Sequence, residues 1–446
     1  MSVLDLSRLP LSRMQDSYVS YQLNLEKSGQ IDTLKRYMCG CTFTDVSGHF
    51  DADALEKAYY EVLRRNDIFR TVVVKEDKKL FQHFVDVEEM NRPARKVLPD
   101  KDAMQVYADT FPVPLHPVLN HQLTSAEIIE CKDGNGGILI WQNHICTDGW
   151  TLGQIVTDQI CEFYTTFKNK EELKPAKRVF SYAKVLENEV NTTVKKRIKD
   201  FFWNWKLYTH HFHKYSIPYR HCHYDDEFVI HSFVIDRWDD MIAAAEKQNC
   251  SSTSAIVLLC GIVANALLGI RRFSPAVFSH GRSTFALKQT AGPILSTYPL
   301  FFEYVKNKTV AESLNEQHSQ FIRQLAHIPP GYLVENYCYY YLYNALHCSF
   351  ELPHDWLCIN NMMNYTSKND LPLNTHFIEK PEPFPVYGVR IIGEDDGVHL
   401  SFQYPKDFLT EAQVSIIQHK FTVALDFMLD HPDSTMEEWS QYVKNA

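Results

Sequence analysis

The 446 residues predict a mixed α/β fold in two or three lobes, since a chain of this length outgrows one hydrophobic core. Three observations point to it. Residues 50–63, FDADALEKAYYEVL, place Leu55, Ala58, Tyr59, Val62 and Leu63 at helical spacing behind Asp51, a good N-cap. The apolar run GILIW at 137–141 follows Asp133-Gly134-Asn135-Gly136, which reads as a hairpin turn feeding a buried strand. Beyond Gly149 the period becomes helical again, with Leu152, Ile155, Val156, Ile160 and Phe163 on one face.

The other elements follow in order. A strand-like run covers 71–74. Residues 254–270 (SAIVLLCGIVANALLGI) are uncharged and end at Arg271-Arg272. A membrane helix needs about 20 such residues, and this run is shorter and contains Asn265, so it predicts a buried core helix. A short strand at 276–278 precedes His280-Gly281-Arg282. Near the end, Thr410 and Gln413 form a capping box, and Val414, Ile417, Phe421, Leu425 and Met428 continue an amphipathic helix. The charged stretch 168–199 is the candidate lobe boundary, and 366–385 is a second loop region. No sequence repeat is present.

Composition narrows the function classes. Hydrophobic residues are 45% and charged residues 22% of the chain, as in an ordinary globular protein. A formal charge of −10 makes nucleic acid and anionic membranes poor partners. The opening MSVLDLSRLPLSRMQ lacks the basic start and apolar core of a signal peptide. With 11 cysteines, an odd number, reduced thiols and a cytoplasmic location are the expectation.

The strongest chemical signal is Asn143-His144-Ile145-Cys146-Thr147-Asp148-Gly149, where a strand gives way to a helix. A histidine there presents one ring nitrogen to a cleft while packing fixes the ring, and neutral imidazole accepts a proton near pH 7. Asp148 holds the loop through a charge pair, and Gly149 allows close backbone approach. The bare H-x-x-x-D-G pattern arises by chance in roughly a few per hundred chains of this length. Taken alone, His144 therefore reads first as a satisfied structural residue.

Other blocks change that weighting. LSRMQDSY (11–18), GHFDADALEKAYYEVLRRNDIFRT (48–71), NHICTDGW (143–150), FSYAKVLENE (180–189), AGPILSTYPL (291–300) and, more weakly, HIPPGYLVE (327–335) come in the order of six sequence blocks of one family. Along nearly its whole length the chain resembles the condensation domains of nonribosomal peptide synthesis, in the superfamily of chloramphenicol-acetyltransferase-like acyltransferases. The resemblance implies a pseudo-dimer of two such lobes, each a sheet packed with helices, with an active-site tunnel between them. Lobes at 1–180 and 181–446 are the expectation. Donor and acceptor enter such a tunnel on phosphopantetheine arms. The family's second histidine corresponds to His144, which positions or deprotonates the attacking amine, beside Asn143 and Gly149. Its largely structural aspartate corresponds to Asp148, and the arginine partner to Arg282 in SHGRST, which a cut at 180 places in the other lobe. Trp150, Ser296 and Thr297 are the expected tunnel-lining residues.

There are departures. Asn143 stands in place of the family's first histidine; it keeps hydrogen-bonding capacity but does not titrate. Ser296 replaces an asparagine, and HIPPG lacks the acidic residue of its block. Epimerisation, heterocyclisation and plant alcohol-acyltransferase signatures are missing. The reading is thus a stand-alone, amide-forming acyltransferase that takes a thioester from a carrier protein in trans and an amine acceptor, with no bound cofactor and no metal. An ester-forming relative using carrier or coenzyme A thioesters and a non-catalytic domain that recruits partners are the alternatives.

Two further clusters have bland readings. His210, His211, His213, His221, Cys222, His223, Asp225 and Asp226 are of metal-ligand type but fit no closed site by spacing, and read as a polar segment between lobes. Lys195, Lys196, Arg197 and Lys199 read as a solvated helix face, with a docking patch for acidic carriers as the functional alternative.

Overall fold

The structure is a computed structural model, and it describes residues 5, 7–29, 38–46, 49–173, 180–192, 194–196, 198–200, 202–203, 228–273, 275–327, 358–361, 373–377, 388–394 and 397–446. The chain divides into two compact units. One comprises Met1–Thr193, His280–Leu295 and Asn364–Lys380; the other comprises Val194–Ser279, Ser296–Met363 and Pro381–Ala446.

The first unit is built on a five-stranded sheet. Its order is Asn374–Phe377, Cys39–Val46, Gly136–Asn143, Thr124–Cys131 and Ala94–Leu98, antiparallel except for the last pair. Every residue of Gly136–Asn143 is buried, because both faces of this central strand are covered, as its continuous apolar run requires. Ile138 and Ile140 face a core shared with Leu55, Ala58, Tyr59, Val62 and Leu63 of the helix Ala52–Arg65 and with Ile160 and Phe163 of the helix Thr157–Lys168. Leu139 and Trp141 face the opposite way, onto Met104 and Ala108 of the helix Lys101–Asp109. The expected N-cap is present: the Asp51 side chain accepts from the Ala54 amide at 2.9 Å.

The second unit holds a six-stranded sheet ordered Ser296–Pro299, Ala276–Ser279, Cys358–Asn361, Gly388–Glu394, Gly397–Pro405 and Phe228–Val234. Cys358–Asn361 runs parallel to both of its neighbours, and the other pairs are antiparallel. The apolar run becomes the helix Ser252–Leu268, started by the Ser251 side chain and ended by Gly269 in the left-handed conformation. Its residues 253–259, 261–263 and Ala266 are buried, packed with Phe302, Val310, Leu314, Phe421, Leu425 and Trp439. Asn265 is satisfied from both sides: it donates to the Ile270 carbonyl at 2.9 Å and accepts from the Ser440 hydroxyl at 2.7 Å. Among the described residues no single helix is long and apolar enough to cross a membrane. The Thr410–Gln413 capping box opens the helix Glu411–Asp430.

The division differs from a single cut at residue 180. The helix Tyr182–Val190 stays with the first unit because Asp67 accepts from the Tyr182 amide at 2.9 Å and the Tyr182 hydroxyl donates to Ser12 at 3.0 Å. The segment His280–Leu295 belongs there too, with Ala291 and Ile294 in that unit's core. Arg282 and Asp148 therefore lie in one unit, not across two.

Gly261 tests the packing of the second unit. A Cβ there would lie 2.1 Å from Cδ2 of the buried Phe302 ring. Gly261→Val is expected to lower stability by about 1–3 kcal/mol through overpacking, read as a fall in denaturation midpoint with an unchanged m-value.

Candidate active site

The strand Gly136–Asn143 delivers its last residues to a turn. The Asn143 amide donates to the Leu123 carbonyl at 2.8 Å, and the His144 amide donates to the Met38 carbonyl at 2.8 Å. The loop is thus pinned to chain on both sides before the helix begins at Gly149. Asn143 is buried, and its side chain is fully used. Its Nδ2 donates to Gln22 Oε1 at 2.8 Å, and its Oδ1 accepts from the Ile145 amide at 3.0 Å. With both ends turned inward, this residue holds the loop.

His144 is half-buried. Its Nδ1 lies 3.4 Å from the Thr147 carbonyl oxygen. A carbonyl only accepts, so this contact places the proton on Nδ1 and leaves the Nε2 lone pair to act. One face of the ring stacks on Tyr18, with centroids 5.6 Å apart and planes 20° from parallel. Burial pushes the imidazole pKa below its ordinary value, and the Thr147 carbonyl and Asp148 charge oppose this only in part. Burial thus favours the neutral ring.

Asp148 is the centre of the hydrogen bonding. Its carboxylate accepts from Arg282 Nη1 at 2.8 Å and Nη2 at 3.1 Å, and from the amides of Thr151, Ile294 and Leu295, each at 2.9 Å. Both side chains are fully buried. Burial raises the carboxyl pKa, but the Arg282 charge and these donors outweigh it and hold it below the usual range. Arg282 also donates to the carbonyls of His280 at 2.8 Å and Gly292 at 2.9 Å and to the Thr151 hydroxyl at 2.9 Å. Thr151 completes the ring of contacts by donating to the Gly292 carbonyl at 3.1 Å and accepting from the Gly292 amide at 3.0 Å.

One backbone position makes this possible. Gly281 has φ +67°, and a Cβ there would sit 1.9 Å from the Ile294 carbonyl oxygen. Only glycine lets segments 280–282 and 292–295 close on Asp148 together.

Trp150 donates from Nε1 to the Lys288 carbonyl at 3.1 Å and lies against His280 with ring centroids 4.7 Å apart. His280 Nδ1 accepts from the Arg282 amide at 2.9 Å. Burial, with Arg282 and Lys288 nearby, pushes the His280 pKa down to about 4. Gly149 opens the helix without a left-handed φ. The first full turn after it, Thr151–Val156, is a π-helix, a local widening frequent at functional sites.

His144, Asn143, Asp148, Gly149, Trp150 and Arg282 thus share the first unit. Ser296 and Thr297 lie in the second, buried on the strand Ser296–Pro299, and pair with Ser279 and Phe278. Sequence reading missed Tyr18, Gln22 and Thr151. Gln15, Tyr18 and Gln22 share one helical face, a spacing visible in the sequence, but nothing there tells what the face meets. The histidine-rich stretch 210–226 lies outside the described residues, as does Arg197. Among the described residues no cluster of His, Cys, Asp or Glu is placed to hold a metal. Lys195, Lys196 and Lys199 are exposed, with Lys196 paired to Asp200 at 2.7 Å.

A model of the condensation-domain family matches residues 9–443. The chain belongs to the condensation-domain family. A search of the curated proteins returns no match. Among solved structures, this condensation domain is similar to the first condensation domain of the calcium-dependent antibiotic synthetase, at 14% identity and TM-score 0.73, covering 97% of this chain and 98% of that one. The starter condensation domain of rhizomide synthetase, solved with C8-CoA and Leu-SNAC, matches at 13% identity and TM-score 0.72, covering 97% and 96%. The condensation domain of the monacolin K polyketide synthase matches at 14% identity and TM-score 0.71, covering 97% and 99%. These likenesses show the chloramphenicol-acetyltransferase-like fold, with sheets packed against helices.

The geometry of the lock predicts its energetics. Asp148→Ala or Arg282→Ala is expected to cost about 3–5 kcal/mol, because each strands a buried charge. The double variant should cost less than the sum of the two, measured as a coupling energy from denaturant melts. Since the Asp148 pKa is depressed on folding, this contribution is full above the unfolded value of about 3.9 and is lost as the pH falls from there through the folded value. The coupling measured at pH 7 should be unchanged at pH 6.

Proposed function

We propose that this condensation domain forms an amide by transferring an acyl group from a thioester to an amine. The observation that supports this best is the placement of His144: Nδ1 lies against the Thr147 carbonyl, which leaves Nε2 to accept a proton, and burial pushes the ring pKa down. In the proposed step the amine nitrogen attacks the thioester carbonyl carbon. The C–N bond forms as the C–S bond breaks. Nε2 takes the proton from the amine and passes it to the departing sulfur, which leaves as a thiol. Part of the rate comes from holding the reactants together, and part from the positioned base. Asp148, Arg282 and Asn143 fix the loop that carries the base, and Gly149 brings helix backbone to its edge. The substrate is an acyl group on the phosphopantetheine arm of a separate carrier protein. Trp150, Ser296 and Thr297 contact the substrate in this reading.

His144→Ala is expected to lower kcat by about 100- to 10,000-fold with an unchanged melting temperature, because the ring is only partly enclosed. Asn143→Ala should lose far less rate while losing stability, since it strips partners from Gln22 and the Ile145 amide. Product formation beside a thermal melt checks both. Near-normal turnover in folded His144→Ala would remove the base from the mechanism.

A second measurement addresses the donor. With acyl-carrier thioester, acyl-coenzyme A and an acyl-pantetheine mimic at equal concentration, the carrier-bound donor should give the highest kcat/KM, because contacts remote from the thioester lower the barrier. Equal rates would favour a coenzyme A-dependent enzyme. Ester in place of amide, when amine and alcohol are offered together, would favour the ester-forming relative. Carrier binding without any product would favour a recruiting role.

A further inference from the structure

The helix Arg13–Ser28 meets the loop of the active-site histidine residue for residue. Gln15, Tyr18 and Gln22, spaced i, i+3 and i+7, fall on one face. Gln15 Nε2 donates to the Ile145 carbonyl at 3.1 Å, Gln22 Oε1 accepts from Asn143 Nδ2 at 2.8 Å, and between them the Tyr18 ring covers the face of His144. The helix does not depend on Tyr18 for its place. Its Ser12 capping box is complete. Gln15 and Gln82 bond each other reciprocally at 2.8 and 2.7 Å, and Gln22 donates to the His116 carbonyl at 2.8 Å.

His144 itself is held loosely by polar contact, since its one side-chain hydrogen bond is 3.4 Å long, at the weak end of the range. An imidazole so held rocks about its Cβ–Cγ bond, and Nε2 swings with it, unless something fixes its plane. The Tyr18 ring is what fixes it.

We propose that Tyr18 is a positioning residue that restrains the plane of the His144 ring, and so the direction in which Nε2 points, and that it acts through its ring and not through its hydroxyl. The proposal rests on the reading of His144 as the base. It also accounts for part of the enclosure of the imidazole, since Tyr18 shields one ring face from water. The titratable groups on the elements around the ring are Tyr18 on the helix, Cys39 on the adjoining strand, and Cys146 and Asp148 in the loop itself, with Arg282 on Asp148. Of these Asp148 acts on the ring's charge and favours protonation, while burial opposes it.

The experiment compares Tyr18→Phe and Tyr18→Leu with the parent chain, using ring-15N-labelled histidine with His144→Gln to assign the signal. In the parent and in Tyr18→Phe the His144 resonances should report the Nδ1–H tautomer and a pKa below the ordinary value of about 6.5. In Tyr18→Leu the ring resonances should show averaging over a rocking ring, and the pKa should rise towards that value. Turnover should follow: Tyr18→Phe within about twofold of the parent, Tyr18→Leu reduced by about 10- to 100-fold in kcat with little change in KM. The acid limb of the kcat profile should move to higher pH in Tyr18→Leu. A Leu variant with the parent ring resonances, pKa and kcat would overturn the proposal. So would a Phe variant that falls as far as Leu, which would assign the effect to the hydroxyl. The spectra report on the stack whether or not amide is made, whereas full turnover in His144→Gln would refute the base and leave the stacking result standing.

Discussion

The buried ion pair of Asp148 and Arg282 organises the rest of the first unit's chemistry. Two full charges without solvent are costly, and their attraction compensates only where geometry is good and other polar atoms are satisfied. Here the carboxylate gathers five donors from three stretches of chain, 148–151, 282 and 294–295. Arg282 gathers carbonyls from 280 and 292 on its other edge. Among the described residues one buried Arg282 donor, Nε, has no partner. The effect of the pair is to specify position: the loop of His144 is defined relative to a segment more than 130 residues away in sequence. The aspartate is engaged in this lock, and among the described residues the His144 ring bonds the Thr147 carbonyl and no carboxylate.

Much of the fold was legible in the residues. The helix Ala52–Arg65 and the helix Glu411–Asp430 announced themselves because one face of each is apolar and each starts on a capping residue. The run at 254–270 was readable as core because it was too short for a bilayer and carried Asn265, whose two hydrogen bonds now explain its presence there. The hairpin before Gly136 followed from turn chemistry. These are local signals, and each element's existence depends on few residues beyond itself.

The parts that were not legible are non-local. No periodicity says that 280–295 folds with 1–193, because that placement is decided by Asp148 and by the close approach at Gly281. The π-helical turn at Thr151–Val156 reads in sequence as ordinary helix, since its apolar residues serve either winding. Asn143 looked like a stand-in for a titratable neighbour, yet its amide is spent on Gln22 and Ile145. Tyr18 was quoted only as part of a block, and its ring partner lies across the fold. The motif named His144, Asp148 and Arg282 in advance; the neighbours that Tyr18 and Gln22 supply were visible only in the structure.

The interleaving of the first unit has a consequence for biosynthesis. Its sheet takes an edge strand from Asn374–Phe377, and its ion pair takes Arg282. When the ribosome has finished Thr193, the unit still lacks both. At synthesis rates of about 5–20 residues per second, about 10 to 40 s pass before Lys380 emerges. Through that interval the strand Cys39–Val46 has an unfilled edge, and for about its first half Asp148 has no cation to answer it, until Arg282 is made. Nascent chains of this protein are therefore exposed to edge-to-edge pairing for far longer than a domain whose sheet closes in sequence order, and the second unit's strands from Phe228–Val234 to Cys358–Asn361 are made while the first unit is still open.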